Sequence, residues 1–408
     1  MTRISSFIFA ALFAFSAQAA APGQSIDIKA RQYIIVDFQT GAVLDAKNAD
    51  EKMPPSSMSK LMTTYMTYSA LKSGKLRMTD ELTVSQFAWK TGGAASGGST
   101  MFLNPGEKVK VEDLLRGVII QSGNDACIVL AEGESGSEEA FADEMSKKAK
   151  ELGLASSHFA NSTGLPHEQQ YMTARDLATL AKRLIQDFPE YYPLYAETSF
   201  TYNNITQGNR NPMLYRVGSG ADGLKTGHTE AAGYGLTASA VRNGRRLIAV
   251  LNGMNSMRDR DEESAKLLDW GFREFVNREL FKTGETVTDA DVWLGAQSSV
   301  PLSIASDVIV TVPRSAAQSL EAKVVYQGPL PAPVKKGTEV GKVIVTGKDM
   351  NPIEVPLVAA ADVERLGFVG RLKAAASYIF VGPPKPTAPA AAPAAPAAPA
   401  APKAATAQ

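Results

Sequence analysis

The amino-acid sequence predicts an α+β fold over residues 29–279, an antiparallel sheet flanked by helices, followed by a small all-β domain over residues 285–356. Three observations carry this. Apolar residues recur at helical spacing in several segments of the first part, and β-rich segments lie at both of its ends. From Glu285 onward the helical period disappears, and Val-rich stretches alternate with Gly and Pro. The 408 residues are too many for one ordinary domain, and an apolar content of 44% is ample for two cores.

The first segment reads as an address. Thr2-Arg3 precede an apolar run from Ile4 to Phe15, and Ala17-Gln18-Ala19 gives the small-x-small pattern of a cleavage site. The run is too short to span a bilayer. Residues 1–19 are therefore expected to be a secretory signal peptide, with the mature protein beginning near Ala20 outside the cytoplasm.

Gln32–Thr40 and Gly41–Lys47 read as two strands joined at a Thr-Gly turn. Pro54-Pro55 then stop the chain, and from Ser57 the residues Met58, Leu61, Met62, Tyr65 and Met66 predict a helix. A second helix is expected from Val111 into Glu132, with Asp113 in its first turn. Ser137–Leu152 and Thr173–Gln186 read as further amphipathic helices. Tyr234–Arg242 and Arg246–Asn252 are short apolar segments split by Asn243-Gly244, a strong hairpin signal. Glu262–Asn277 returns to helical spacing.

In the β domain the expected strands lie in Val287–Trp293, Ser306–Pro313, Ala322–Tyr326 and Glu339–Thr346. Residues 361–381 read as a terminal amphipathic helix, with Val363, Leu366, Val369, Leu372, Ala376 and Ile379 near one face. That face suits either a membrane interface or the protein's own surface. Residues 382–408 are a Pro/Ala repeat that cannot build a core, and a disordered, extended tail is expected.

Composition excludes several classes. Lys+Arg and Asp+Glu both number 42, and no basic patch suggests nucleic acid. The single cysteine, Cys127, has Ile128, Val129 and Leu130 beside it and reads as a buried helix position. His158, His167 and His228 are scattered without ligand spacing, so neither a metal nor a cofactor is implied.

Three short strings carry chemistry: Ser57-Met58-Ser59-Lys60 (S-x-x-K), Ser122-Gly123-Asn124 (S-x-N) and Lys225-Thr226-Gly227 (K-T-G). Each has decoys or is common alone. Ser69-Ala70-Leu71-Lys72 is a second S-x-x-K, and K-T-G recurs at Lys90–Gly92 and Lys282–Gly284. Context separates them. Ser57 opens a helix, where unpaired N–H groups and the dipole favour developing negative charge, whereas Ser69 lies near the helix end. Lys282-Thr283-Gly284 reads as a helix end with a Gly stop, and Lys90-Thr91-Gly92 as the opening of a glycine-rich loop. Only Lys225–Gly227 leads directly into strands.

In this order, and with the flanking Pro55–Thr63, Gln121–Ala126 and Asp222–Thr229, the chain resembles the D-alanyl-D-alanine carboxypeptidases among the low-molecular-mass penicillin-binding proteins. The resemblance covers the first domain and extends to the order of the β domain and terminal helix. It implies a β-lactamase/transpeptidase-like fold and the release of D-alanine from peptidoglycan stem peptides ending in D-Ala–D-Ala. It implies Ser57 as nucleophile and Lys60 as its proton acceptor, with the Ser57 and His228 N–H groups as oxyanion donors. Ser122 would relay a proton to the departing amine, and Asn124 would orient Lys60 and the substrate amide. Lys225 and Thr226 in the Gly227-terminated string, with Arg210, would receive the substrate carboxylate. Gly92–Thr100 matches the family's active-site-rim loop.

The E-x-x-x-N segment of class A β-lactamases is missing between Asn124 and Lys225, so β-lactams are expected to acylate Ser57 and leave slowly. Two alternatives stay open: a D,D-endopeptidase cutting cross-links with the same machinery, and a non-catalytic wall-binding protein. The expected place is the periplasm, peripheral on the outer face of the inner membrane through the terminal helix.

Overall fold

A computed structural model describes residues 25–348 and 350–381. The expected signal peptide and Pro/Ala tail lie outside the described residues. Residues 29–265 form one compact unit, and those from Lys266 onward, with the segment just before Lys29, form a second.

In chain order the first unit contains strands β1 (Gln32–Asp37) and β2 (Val43–Lys47), and helix α1 (Lys60–Lys72). The short strand β3 (Glu81–Thr83), helix α2 (Gln86–Gly92), strand β4 (Lys108–Lys110) and helix α3 (Val111–Arg116) follow. Helices α4 (Asn124–Ser135), α5 (Glu138–Glu151) and α6 (Ala174–Asp187) precede a small hairpin, β5 (Ser199–Tyr202) and β6 (Ile205–Gly208). Strands β7 (Ala221–Thr229), β8 (Gly233–Arg242) and β9 (Arg245–Met254) complete the sheet, and α7 (Met257–Glu274) follows.

The main sheet is antiparallel with order β2-β1-β9-β8-β7, so the N-terminal hairpin inserts beside β9 and β7 is left at one edge. Asn243, at φ 51, and Gly244, at φ 76, take the left-handed conformations that a tight β8–β9 hairpin needs. Ser137 and Thr173 cap α5 and α6, accepting hydrogen bonds from Ala140 N (3.1 Å) and Asp176 N (3.0 Å). Each such cap stabilises by about 1 kcal/mol. Leu177, Leu180, Ala181 and Leu184 form the buried stripe of α6. α4 is buried on all sides from Asn124 to Ala131, the pattern of a helix through a core. Cys127 lies there with no exposed surface.

The helix expected from Val111 into Glu132 is broken. α3 ends at Arg116, one wide turn spans Gly117–Gln121, and Ser122 adopts a left-handed conformation at φ 58 before α4 begins. The apolar period runs through the break because both halves line the same core, which hides it from a periodicity argument. Lys90-Thr91-Gly92 is the last turn of α2 and not loop.

α7 runs across the boundary between the two units, and the first strand of the second unit is β10 (Phe275–Phe281), where sequence spacing extends a helix to Asn277. β10 pairs with β13 (Val308–Pro313). Lys282-Thr283-Gly284 is accordingly a turn after a strand, with Gly284 at φ 77, and not a helix end. The other strands are β11 (Thr286–Trp293), β12 (Ser299–Ile304), β14 (Glu321–Tyr326), β15 (Leu330–Pro331), β16 (Glu339–Thr346) and β17 (Ile353–Ala359). They form a sheet of order β14-β16-β17-β12-β11-β15 around a Val-rich core.

The terminal helix α8 (Phe368–Val381) starts later than the expected Ala361. Val363 is instead bridged to Val334 and buried, which removes it from the helix face. Phe368, Val369, Leu372 and Ile379 are each well exposed. Among the described residues, no helix is long and apolar enough to cross a membrane.

Candidate active site

Ser57 lies in a tight turn, Ser56–Ser59, that winds directly into α1. Its neighbour Ser56 is left-handed at φ 49, and Pro55 precedes the turn. Lys60 follows three residues later on the same face and has no exposed surface. Its Nζ donates to Ser57 Oγ at 2.9 Å, to Asn124 Oδ1 at 2.8 Å and to the Thr163 carbonyl. Three acceptors match the three N–H bonds of an ammonium. A neutral amine keeps its lone pair for the Ser57 proton.

Burial brings the Lys60 pKa down to about 8, with the Arg210 cation pushing the same way and the Glu138 and Asp125 carboxylates opposing. The nearby Cys127 thiol is pushed up to about 12 by burial and is uncharged at neutral pH. Lys60 is thus a lysine whose neutral form is accessible near physiological pH.

The break between α3 and α4 brings Asn124 to Lys60 and Ser122 to Lys225. Lys225 Nζ donates to Ser122 Oγ at 3.0 Å and to the Thr226 carbonyl at 3.2 Å. Burial holds the Lys225 pKa well below its ordinary value, and the Lys60 and Arg210 cations add to the effect. β7, the edge strand, passes close to the serine turn. A Cβ on Gly227 would lie 3.0 Å from the Pro55 carbonyl oxygen and 3.1 Å from Met58 Cγ, so a side chain there would force its neighbours to give by a few tenths of an ångström. Thr226 is buried beside Lys225.

Arg210 is the outlying member. Its Nη1 donates to Ser99 Oγ on the rim loop, and it reaches the two lysines only through its charge. The His228 ring stacks on Tyr234 at 3.9 Å between centroids and is engaged with β8. The decoy pair sits at the other end of α1, where Lys72 Nζ donates to the Asp187 carbonyl.

Sequence reading missed three contributors. Asp125 accepts from Thr100 Oγ1 (2.6 Å), Met101 N (2.8 Å) and Leu103 N (3.1 Å), tying the rim loop to α4. The turn Asn161–Gly164 supplies the Thr163 carbonyl to Lys60. Glu138, at the start of α5, binds that turn from behind. Asp125 adjoins Asn124 and was open to notice. The Asn-Ser-Thr-Gly string signals only a turn. Among the described residues, no cluster of His, Cys, Asp or Glu is arranged to hold a metal ion.

Residues 16–256 match the family model described as D-alanyl-D-alanine carboxypeptidase. The chain belongs to this family. Residues 275–365 match the C-terminal domain of penicillin-binding protein 5. The chain is 44% identical to the D-alanyl-D-alanine carboxypeptidase DacC of Escherichia coli over 385 residues, 91% of this chain and 96% of that protein. Among solved structures, penicillin-binding protein 5 from Haemophilus influenzae aligns with a TM-score of 0.76 at 37% identity, covering 84% of this chain and 99% of that one. Penicillin-binding protein D2 from Listeria monocytogenes, solved in an ampicillin-bound form, aligns at 0.53 and 27% identity, covering 61% of this chain and 99% of that one. The two-part architecture, transpeptidase-like domain first and all-β domain second, is therefore the family's own.

Proposed function

We propose that this chain is a serine-type carboxypeptidase that removes the terminal D-alanine of peptidoglycan stem peptides ending in D-Ala–D-Ala, through an acyl-enzyme on Ser57. The observation that carries the reading is the 2.9 Å contact between Ser57 Oγ and a fully buried Lys60. A serine hydroxyl needs a base within hydrogen-bond reach, and a desolvated lysine is one. Neutral Lys60 takes the Ser57 proton as Oγ attacks the carbonyl carbon. The oxyanion is received by the backbone N–H groups of Ser57 and His228, each donor worth about 10²–10³ in rate.

Collapse breaks the C–N bond, and Ser122, hydrogen-bonded to Lys225, relays to the leaving amine the proton that Lys60 took from Ser57, which leaves Ser122 a hydroxyl and Lys60 neutral again. D-Alanine departs, and water then hydrolyses the ester. Asn124 holds Lys60 and the substrate amide. Lys225, Thr226 and Arg210 receive the terminal carboxylate, whose charge offsets the positive field of Lys225 and Arg210. A β-lactam presents a strained amide and a carboxylate in the same relation, and the ampicillin-bound Listeria relative supports acylation by such compounds. The protein acts in the periplasm, where its substrate is. The exposed apolar side chains of α8, with Arg371 and Lys373 among them, support attachment to the membrane surface without crossing it.

The test is incubation with a pentapeptide ending in D-Ala–D-Ala and, separately, with a cross-linked peptide dimer. Free D-alanine from the pentapeptide alone is expected, and cleavage of the dimer alone would replace this reading with an endopeptidase. Fluorescent penicillin should label wild type and not Ser57→Ala; no label and no product would remove the enzyme reading altogether.

A further inference from the structure

We propose that Glu138 is a positioning residue for Lys60, acting through the Asn161–Gly164 turn that presents the Thr163 carbonyl. The inference rests on Lys60 being the proton acceptor and asks what holds it in place. Glu138 lies in the first turn of α5, one residue after the cap Ser137. Its Oε1 accepts hydrogen bonds from Ser162 N at 3.0 Å and from Ser162 Oγ at 2.6 Å. The Ser162 carbonyl accepts from Thr63 Oγ1 at 2.6 Å, and Thr63 stands one turn beyond Lys60 on α1. The next carbonyl, that of Thr163, takes the third N–H of Lys60.

The turn is therefore bolted from behind by α5 and from the front by α1. Asn161 Oδ1 closes it internally, accepting from Thr163 N (3.1 Å), Thr163 Oγ1 (3.0 Å) and Gly164 N (2.7 Å). Gly164, at φ +78, lets the turn press on the serine loop: a Cβ there would lie 2.0 Å from the Ser56 carbonyl oxygen. Apart from Lys60 itself, Glu138 is the only charged group among these attachments.

The charge gives Glu138 an electrostatic effect as well as a mechanical one. The ionisable groups facing Lys60 are Arg210, Glu138, Asp125 and the uncharged Cys127, with Lys225 across the site. Glu138 and Asp125 favour the Lys60 cation, against burial and Arg210. Removing the Glu138 charge therefore moves Lys60 toward its neutral form, and loosening the Thr163 carbonyl removes a stabiliser of the cation in the same direction.

The experiment is the rate of Ser57 acylation by fluorescent penicillin between roughly pH 6 and 10, where a lysine base titrates. It compares the wild-type chain with Glu138→Gln, Ser162→Ala and Glu139→Gln, each checked by thermal melting. Glu138→Gln should move the acid limb to lower pH and lower the plateau about tenfold, since small displacements of a base are costly. Ser162→Ala keeps the charge and should lower the plateau while moving the limb less. Glu139→Gln, the same charge change on the exposed neighbour, should leave both within about twofold. A Glu138→Gln profile that superimposes on wild type, or falls by one factor at every pH with its limb unmoved, overturns the proposal. If Glu138→Gln does not fold, an unchanged plateau in Ser162→Ala overturns it and a lowered one supports it. An unlabelled wild type would sink the Ser57–Lys60 reading, and this inference with it.

Discussion

Lys225 Nζ lies 3.0 Å from Ser122 Oγ, while Lys60 Nζ lies 2.9 Å from Ser57 Oγ, so each buried lysine of the site is committed to one serine. The two pairs are not interchangeable, because Ser57 and Lys60 share one turn at the start of α1 whereas Ser122 and Lys225 come from different elements, and only Lys60 has Asn124 as a further side-chain acceptor. Lys60→Met keeps most of the buried volume and removes the proposed base. Acylation of Ser57 by fluorescent penicillin should fall by about 10²–10⁴. The melting temperature should change little, since the Asn124 and Thr163 acceptors lose a partner while the cost of burying an ammonium disappears.

The pH dependence follows from the same pair. Lys60 has to be neutral to take the Ser57 proton, so acylation should rise with pH and level off above an apparent pKa of about 8. Because Lys225 is a like-charged neighbour, that value belongs to the coupled site. Arg210 lowers the pKa of both lysines. Arg210→Ala should accordingly move the limb to higher pH and also raise KM for a peptide substrate with a free carboxylate. A stopped-flow rate profile separates the two effects, and a limb that stays in place would remove Arg210 from the electrostatics of the site.

The strings S-x-x-K, S-x-N and K-T-G were legible because each is local: the spacing of Ser57 and Lys60 is one helical turn, and Lys225 and Thr226 are strand neighbours. What surrounds them was not. The Thr163 carbonyl is 103 residues from Lys60 and belongs to the backbone, so no residue type marks it. Glu138 sits on a helix whose amphipathic pattern is fully explained by packing, which leaves no residual signal for a carboxylate turned toward Ser162. The break at Gly117–Ser122 was hidden by Val118, Ile119 and Ile120, which are buried and continue the apolar period. A Ser122-Gly123 pair inside an apparent helix was the available warning.

Two glycines near the rim loop separate stability from activity. A Cβ on Gly92 would fall 2.4 Å from Asp125 N and 2.6 Å from Asn124 C, both backbone atoms of a buried helix that cannot yield. Gly92→Ala should destabilise by about 1–3 kcal/mol, the usual cost of overpacking, and lower the melting temperature. A Cβ on Gly98 would meet instead the Asn124 side-chain Nδ2 at 2.8 Å, which can rotate aside. Gly98→Ala should leave the melting temperature nearly unchanged while slowing acylation, because Asn124 Oδ1 holds Lys60. Equal melting temperatures with equal rates would show that Asn124 tolerates the displacement.

Glu134 supplies a prediction on stability alone. It lies against α1, where Thr67 Oγ1 donates to Glu134 Oε1 at 2.5 Å. Burial raises its pKa from 4.5 to about 7, the Thr67 bond opposing and the Glu144 carboxylate adding to the rise. A raised carboxylate pKa means that the native state binds the proton more tightly than the unfolded chain does. Stability from this group is therefore fully present below about pH 4.5 and is lost as the pH climbs to about 7. At pH 8 the site holds a partly desolvated charge with one hydrogen bond. Glu134→Gln keeps the shape and the acceptor for Thr67 and removes that charge. Its melting temperature should exceed wild type at about pH 8 by the equivalent of roughly 1–2 kcal/mol, with the gain gone by about pH 5. Melting curves at the two pH values decide it, and a gain of the same size at both would mean that charge at Glu134 is not the cause.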